Sequence, residues 1–296
     1  MFKRILLFGL TNIAVIAVIS IIMMILSRFL GVDVSGNSLL WVAIFSLVVG
    51  FSGAFISLLI SRWSAKRAYD ITLIDDKNLY QASPKEQKVY ELITRLSREN
   101  HITMPEVGIY VDTEVNAFAT GRSRNASLVA VSTALLEQCT PDEIEWVIAH
   151  EMAHILNGDM VTMTLLQWVL NTFVVFLSRI IARVIDEATD GKLGWLGYQA
   201  VYMLLQVVLG LGATLIAMKF SRYREYRADL GSAQSVGKKK MIAALRRLQS
   251  LHPLPPLPNS QLTAFKISTG EKMSLFASHP SLDSRIKALE ENYQLA

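Results

Sequence analysis

Two histidines four residues apart, with a glutamate directly after the first, make His150-Glu151-Met152-Ala153-His154 the stretch of this chain best suited to chemistry. On a helix, residues four apart share a face, so His150 and His154 can each offer a ring nitrogen to one metal ion. Glu151, one position round, then reaches a water beside that metal, which places a base next to an activated nucleophile. The pair still lacks a third protein ligand. Glu225, in Arg224-Glu225-Tyr226-Arg227-Ala228-Asp229, supplies a carboxylate, and Asp229 follows it by four residues, so a second helix can point both the same way. Glu225 reads as the third ligand and Asp229 as an acceptor from a ligand histidine, fixing its tautomer. Alone, Glu225 and Asp229 among Arg222, Arg224 and Arg227 would read as a solvated charged face; the incomplete ligand set upstream favours the metal. Two imidazoles and one carboxylate suit zinc, one Zn2+ per chain.

These residues need elements to hold them. Thr140-Pro141-Asp142-Glu143 is a capping box with proline at the first helical position, and the run from Ile144 to Leu156 is apolar almost all round, as in a buried helix. Histidines and a glutamate inside such a helix must find partners, and a metal satisfies them together. Ser83-Pro84-Lys85-Glu86 opens an earlier helix to about residue 100. Short strands are predicted at 107–111, 117–121 and 128–132, with a polar turn at 121–125. Asn116, Ala117, Phe118 and Ala119, just upstream of the metal helix, form a candidate edge to which an extended substrate would add, with Phe118 or its neighbours shaping a side-chain pocket. Ser221-Arg222 starts the Glu225 helix, an amphipathic helix begins at Lys238, prolines 253, 255, 256 and 258 mark an extended linker, and 282–293 closes as a helix. His279, in Ser278-His279-Pro280, can reach the metal cleft and stabilise a developing oxyanion.

The frame around this machinery is a membrane. The chain is 52% hydrophobic and 18% charged, below the roughly 25% charged residues of soluble domains. Residues 5–26 and 39–60 are uncharged runs long enough to cross the hydrocarbon core, an uncleaved N-terminal hairpin. Residues 160–177 and 196–218 give a second hydrophobic hairpin, in which Gly210 and Gly212 allow close helix packing. Basic residues cluster at Lys3-Arg4, at 62–67 and at 219–227, all on the cytoplasmic side if both pairs are hairpins. The fold class is therefore α+β, mostly helical and integral to a membrane. It comprises a hairpin at 1–63, the first part of a catalytic domain at 64–159, a second hairpin at 160–220, and the second part at 221–296. The run Lys238-Lys239-Lys240 is a solvated or lipid-facing surface; no aromatic residues interleave it, so nucleic acid is not a partner. Cys139 is the single cysteine, so no intrachain disulfide forms, and it reads as an inert small residue.

Over nearly its whole length the chain resembles the HtpX family of bacterial membrane zinc metalloproteases, and more distantly the CAAX prenyl proteases. The resemblance runs through Asn116-Ala117-Phe118-Ala119-Thr120-Gly121, 127–133, 150–163 and Phe220-Ser221-Arg222-Tyr223-Arg224-Glu225-Tyr226. It implies a gluzincin-type catalytic domain facing the cytoplasm from the bacterial inner membrane, zinc on His150, His154 and Glu225, and Glu151 as base. It also implies a role in stress response, degrading misfolded or damaged membrane proteins in cooperation with other membrane quality-control proteases. Family members usually carry threonine where this chain has Ser278. Two other readings stand beside peptide hydrolysis: a CAAX-type processing protease, and a non-catalytic membrane scaffold whose metal serves folding alone. A transporter is disfavoured because no apolar segment carries a charged residue at its middle.

Overall fold

The computed structural model describes residues 17–25, 28–29, 39–251 and 279–291. Residues 17–25 are helical; most of the apolar run 5–26, the proline-rich stretch 253–258 and Ser278 lie outside the described residues. In chain order the elements are α1 (Leu39–Ala68), β1 (Thr72–Ile74), a 3-10 turn (Leu79–Gln81), α2 (Pro84–Glu99), β2 (Glu106–Tyr110), β3 (Ala117–Ser123), β4 (Ala126–Ser132), α3 (Thr133–Gln138), α4 (Pro141–Asn157), α5 (Asp159–Ala188), α6 (Gly194–Val236), α7 (Lys238–Leu251) and α8 (Leu282–Glu290). The chain forms two compact units, Met1–Leu58 with Thr162–Ala217 and Leu59–Val161 with Met218–Ala296. Among the described residues three helices, α1, α5 and α6, are long and apolar enough to cross a membrane.

Within the first unit, Gly50 lets α1 approach α5. A Cβ there would sit 2.8 Å from the Thr172 amide nitrogen and 2.9 Å from the Trp168 carbonyl oxygen. Gly210 and Gly212, expected to serve this purpose, have nothing within 4 Å of where a Cβ would stand. Phe51 and Phe55 meet the Trp168 ring edge-on, at centroid distances of 5.7 and 6.2 Å. Arg179 lies inside α5 rather than after it. Its guanidinium faces the rings of Phe45, Tyr202 and Trp41 at 4.2, 5.3 and 5.4 Å, a set of cation–π contacts that replaces hydration.

The second unit is built on a four-stranded sheet of order β1-β2-β4-β3. The β2–β4 pair is parallel and the other two are antiparallel. β1 is too short to show an alternating pattern and adds a strand to the expected three. The β3–β4 ladder also runs further than the expected turn at 121–125, because Gly121 adopts φ 149° within it. A Cβ at Gly121 would meet the Ala126 carbonyl oxygen and lie 2.5 Å from the Ser127 Cα, so only glycine carries the pairing through. One sheet face meets α2 and α4 in a core of Ile93, Leu96, Val129, Val131, Val147 and Met152. On the other face Tyr110, Phe118, Leu128 and Ala130 pack with Tyr69.

Helix α4 starts where its capping box sets it: the Thr140 amide donates to Glu143 Oε2 at 2.7 Å, and the Thr140 hydroxyl accepts from the Glu143 amide at 3.4 Å. It ends at Gly158, left-handed at φ 70°, and α5 begins at the next residue. Helix α6 departs from expectation, since Ser221-Arg222 starts no new helix. Ser221 is buried and its hydroxyl accepts from Arg224 Nη2 at 3.2 Å instead of capping the backbone, so one helix of 43 residues carries both the apolar run and Glu225.

Candidate metal centre

Helix α4 is held on several sides, by β3, β4, α2 and α7, and His150 and Glu151 on it are buried. Gly231 lets α6 lie close to it: a Cβ there would be 3.0 Å from the Ala153 Cβ. This close approach brings Glu225 over the two histidines. His150 Nε2 is 3.4 Å from Glu225 Oε2, and His154 Nε2 is 3.3 Å from Glu225 Oε1. The three side chains offer ligand atoms within 4.8 Å of one another.

The opposite ring nitrogens are anchored as well. His150 Nδ1 lies 3.0 Å from Asp229 Oδ1, and His154 Nδ1 lies 2.7 Å from Asp159 Oδ2. Each ring therefore spends Nδ1–H on a carboxylate and keeps Nε2 for the centre, the arrangement that orients metal-binding histidines. Asp229 was foreseen in this place; Asp159 was not, although a carboxylate directly after a helix-ending glycine is a readable signal. Arg285 of α8 was also missed. Fully buried, it donates from Nε to Asp229 Oδ2 at 2.8 Å and from Nη2 to Asp229 Oδ1 at 2.5 Å. His279, just ahead of α8, puts Nδ1 2.9 Å from Glu225 Oε2.

Glu151 is buried beside the histidines and accepts a hydrogen bond from the Ala119 amide, which ties β3 to the site. Burial pushes its carboxyl pKa up against the pull of both imidazoles. Phe118 shapes no open pocket. It is 4% exposed and its ring packs against Tyr110 and Tyr69 on the far face of the sheet, where alternation along the strand sends it. Asn116 and Ala117 are buried too. Burial pushes the Cys139 thiol up to about 11, which keeps it inert.

A metal fits this donor set. Among the described residues, Glu225 Oε2, both His279 ring nitrogens and Arg285 Nη1 are buried without a hydrogen bond, polar atoms that otherwise carry a desolvation cost. Glu151, Asp159, Glu225 and Asp229 are buried against the single guanidinium of Arg285, so with neutral imidazoles the centre is negative and a cation offsets it.

The sequence pattern of peptidase family M48 matches residues 83–293, most of the chain. The chain belongs to peptidase family M48. It is 49% identical over 293 residues, 98% of this chain and 99% of the relative, to a protein named Protease HtpX from Actinobacillus pleuropneumoniae serotype 5b (strain L20). A Protease HtpX from Pseudoalteromonas atlantica is 46% identical over 299 residues, 97% of this chain and 99% of the relative. The crystal structure of S. mikatae Ste24p shares the fold, with a TM-score of 0.62 at 18% identity over 98% of this chain and 67% of that one. The M48 chain is thus a membrane metallopeptidase with a mostly helical fold and a small mixed sheet.

In the metal-free M48 chain, burial works to lower the His154 pKa, but the Glu225 charge and the Asp159 hydrogen bond outweigh it and raise it from 6.5 to about 10. The protonated ring therefore adds stability in full below about 6.5, and that contribution disappears as pH rises through about 10. Ligation needs the ring neutral. Zinc titrated into chelated protein near neutral pH should expel protons, seen as a calorimetric heat that scales with the buffer's ionisation enthalpy. The melting temperature of the metal-free form should fall across the same alkaline range. A buffer-independent heat would mean that His154 is already neutral.

Proposed function

We propose that the chain is a zinc endopeptidase of the bacterial cytoplasmic membrane, binding one Zn2+ and cleaving unfolded or misfolded membrane proteins from its cytoplasmic side in quality control alongside other membrane proteases. The observation that carries this reading is the meeting of His150 Nε2, His154 Nε2 and Glu225 beside a buried Glu151. His150, His154 and Glu225 would hold the zinc, which when bound supplies a Lewis acid that polarises the scissile carbonyl and acidifies water. Glu151, its pKa raised by burial, takes the proton from the attacking water and passes it to the leaving amine. Asp229 and Asp159 hold the rings so that neither histidine drifts from its tautomer. His279 keeps Nε2 without a hydrogen-bond partner among the described residues, available as a donor toward the developing oxyanion.

The outer edge of β3 suits an extended substrate. β3 is the last strand of the sheet and Ala119 already touches Glu151, so a chain added along Ala117 and its neighbours would pass in front of the base. Main-chain pairing recognises exposed backbone rather than sequence, which matches unfolded substrates; the buried Phe118 contributes packing to the strand and no side-chain pocket. The basic residues Arg62, Lys66 and Arg67 and the cluster at 219–227 belong to the same compact unit as the site, and the positive-inside rule assigns them to the cytoplasm.

Glu151→Gln should retain stoichiometric zinc and lose activity by several orders of magnitude, whereas Glu225→Ala should lose zinc itself. Metal analysis and a protease assay on one preparation decide this. An active Glu151→Gln protein sinks the mechanism, and an inactive parent that holds zinc tightly favours the scaffold reading. Replacing single amides of a model substrate by esters removes backbone donors while leaving side chains intact, and should raise KM at alternate positions if β3 binds it; uniform KM values would move the cradle elsewhere. In a Cys139→Ser background, a cysteine at Gly191 should react with an impermeant thiol reagent in spheroplasts and one at Lys77 should not. The reverse pattern inverts the topology.

A further inference from the structure

Arg285 sits fully buried on α8, and nothing in the catalytic reading gives it a role. Its fork closes on Asp229 with two parallel hydrogen bonds, Nε to Oδ2 and Nη2 to Oδ1. The same Oδ1 lies 3.0 Å from His150 Nδ1. Arginine Nη2 and His150 Nδ1 are 3.4 Å apart; because an ionised carboxylate only accepts, Nδ1 carries its proton toward Asp229 Oδ1, and the separation is two donors converging on one oxygen. Asp229 Oδ1 is thus held from both sides. The remaining arm, Nη1, points toward Glu225 Oε2 at 3.9 Å and makes no hydrogen bond.

We propose that Arg285 is a positioning residue of the metal centre, clamping Asp229 so that it accepts from His150 Nδ1–H and cannot turn inward to compete with Glu225. A carboxylate held by one histidine alone rotates about its last bond; a bidentate guanidinium removes that freedom. With Asp229 fixed as an ionised acceptor, the His150 proton stays on Nδ1 and Nε2 faces the centre. Helix α8 delivers the clamp, because Ile286 and Leu289 on the same helix are buried in the core with Met241 and Leu245 of α7. Arg246 to Glu290 at 2.7 Å and Gln249 to Asp283 at 2.8 Å fasten the two helices from outside. The C-terminal helix therefore acts on His150 without touching substrate.

This inference rests on the metal reading, so its test includes a measurement that needs no metal. The full chain in detergent carries 15N-histidine, and His150→Gln identifies the His150 signals. In metal-free protein, at a pH where the His150 ring is neutral, the parent should show it protonated at Nδ1 alone, and Arg285→Lys, which keeps the charge and loses the fork, should show a tautomer mixture. Zinc affinity from chelator competition should fall about 10- to 100-fold in Arg285→Lys. Arg285→Met alone leaves Asp229 buried and unpaired and is prone to unfold, so the arginine is removed together with the aspartate charge, and the Asp229→Asn comparator, which leaves Arg285 unpaired, is first shown by its melting transition to be folded. Asp229→Asn and Asp229→Asn/Arg285→Met should then bind zinc equally, since the arginine acts only through the aspartate. The clamp is overturned if Arg285→Lys keeps both the Nδ1 proton and the parent affinity, or if removing the arginine from Asp229→Asn costs further affinity. Failure of the parent to bind zinc would refute the metal reading, and the tautomer comparison would still decide Arg285.

Discussion

Two imidazoles on one helix serve a common ion only if each turns an unprotonated nitrogen inward, and helix geometry fixes where the rings stand without fixing which nitrogen carries the proton. In this fold that choice is made by carboxylates behind each ring, Asp229 for His150 and Asp159 for His154. Much of the surrounding architecture follows from seating them. Asp159 must lie just past the end of α4, which Gly158 allows by turning the chain left-handed. Asp229 must ride with Glu225 on an unbroken helix, four residues along.

Burying so many charges is costly, and the fold meets the cost by pairing rather than by exposure. Removing one partner of such a pair typically costs about 3–5 kcal/mol, mostly for the charge left behind. That asymmetry makes the polar centre a source of specificity. A register error in α6 that displaced Glu225 or Asp229 would strand Arg285 and both histidines together, so competing packings are penalised strongly. The apolar core around Val129, Val147 and Met152 has no comparable means of telling one register from its neighbour.

The grouping of the candidate ligands was legible because helical spacing converts directly into a shared face: His150 with His154, and Glu225 with Asp229. Capping boxes at Ser83 and Thr140 were legible for the same reason, since the reciprocal hydrogen bonds are local and the residues are adjacent in sequence. What escaped was set by tertiary contact. β1 has three residues and exists only because β2 offers it an edge. The break expected at Ser221 failed because the hydroxyl found Arg224 before it found the backbone. Arg285 went unremarked, because no local spacing ties it to Asp229, 56 residues earlier. Its neighbours Ile286 and Leu289 mark a buried face, and a charge next to that face is the clue that was available. Phe118 illustrates the opposite error, an aromatic residue in a suggestive place that simply packs.

The edge of β3 is an opening in a different sense as well. An unpaired strand edge invites any extended chain, including the same strand of another molecule, and would act as a nucleus for irreversible stacking. Along this strand the inner half lies under α4, with the Ala119 amide already engaged by Glu151. The outer half ends in Arg122 and, across the bend, Arg124, both exposed. Two such tips brought side by side would repel each other. The strand is therefore guarded against self-association at one end by a helix and at the other by charge, while its middle stays within reach of a passing chain.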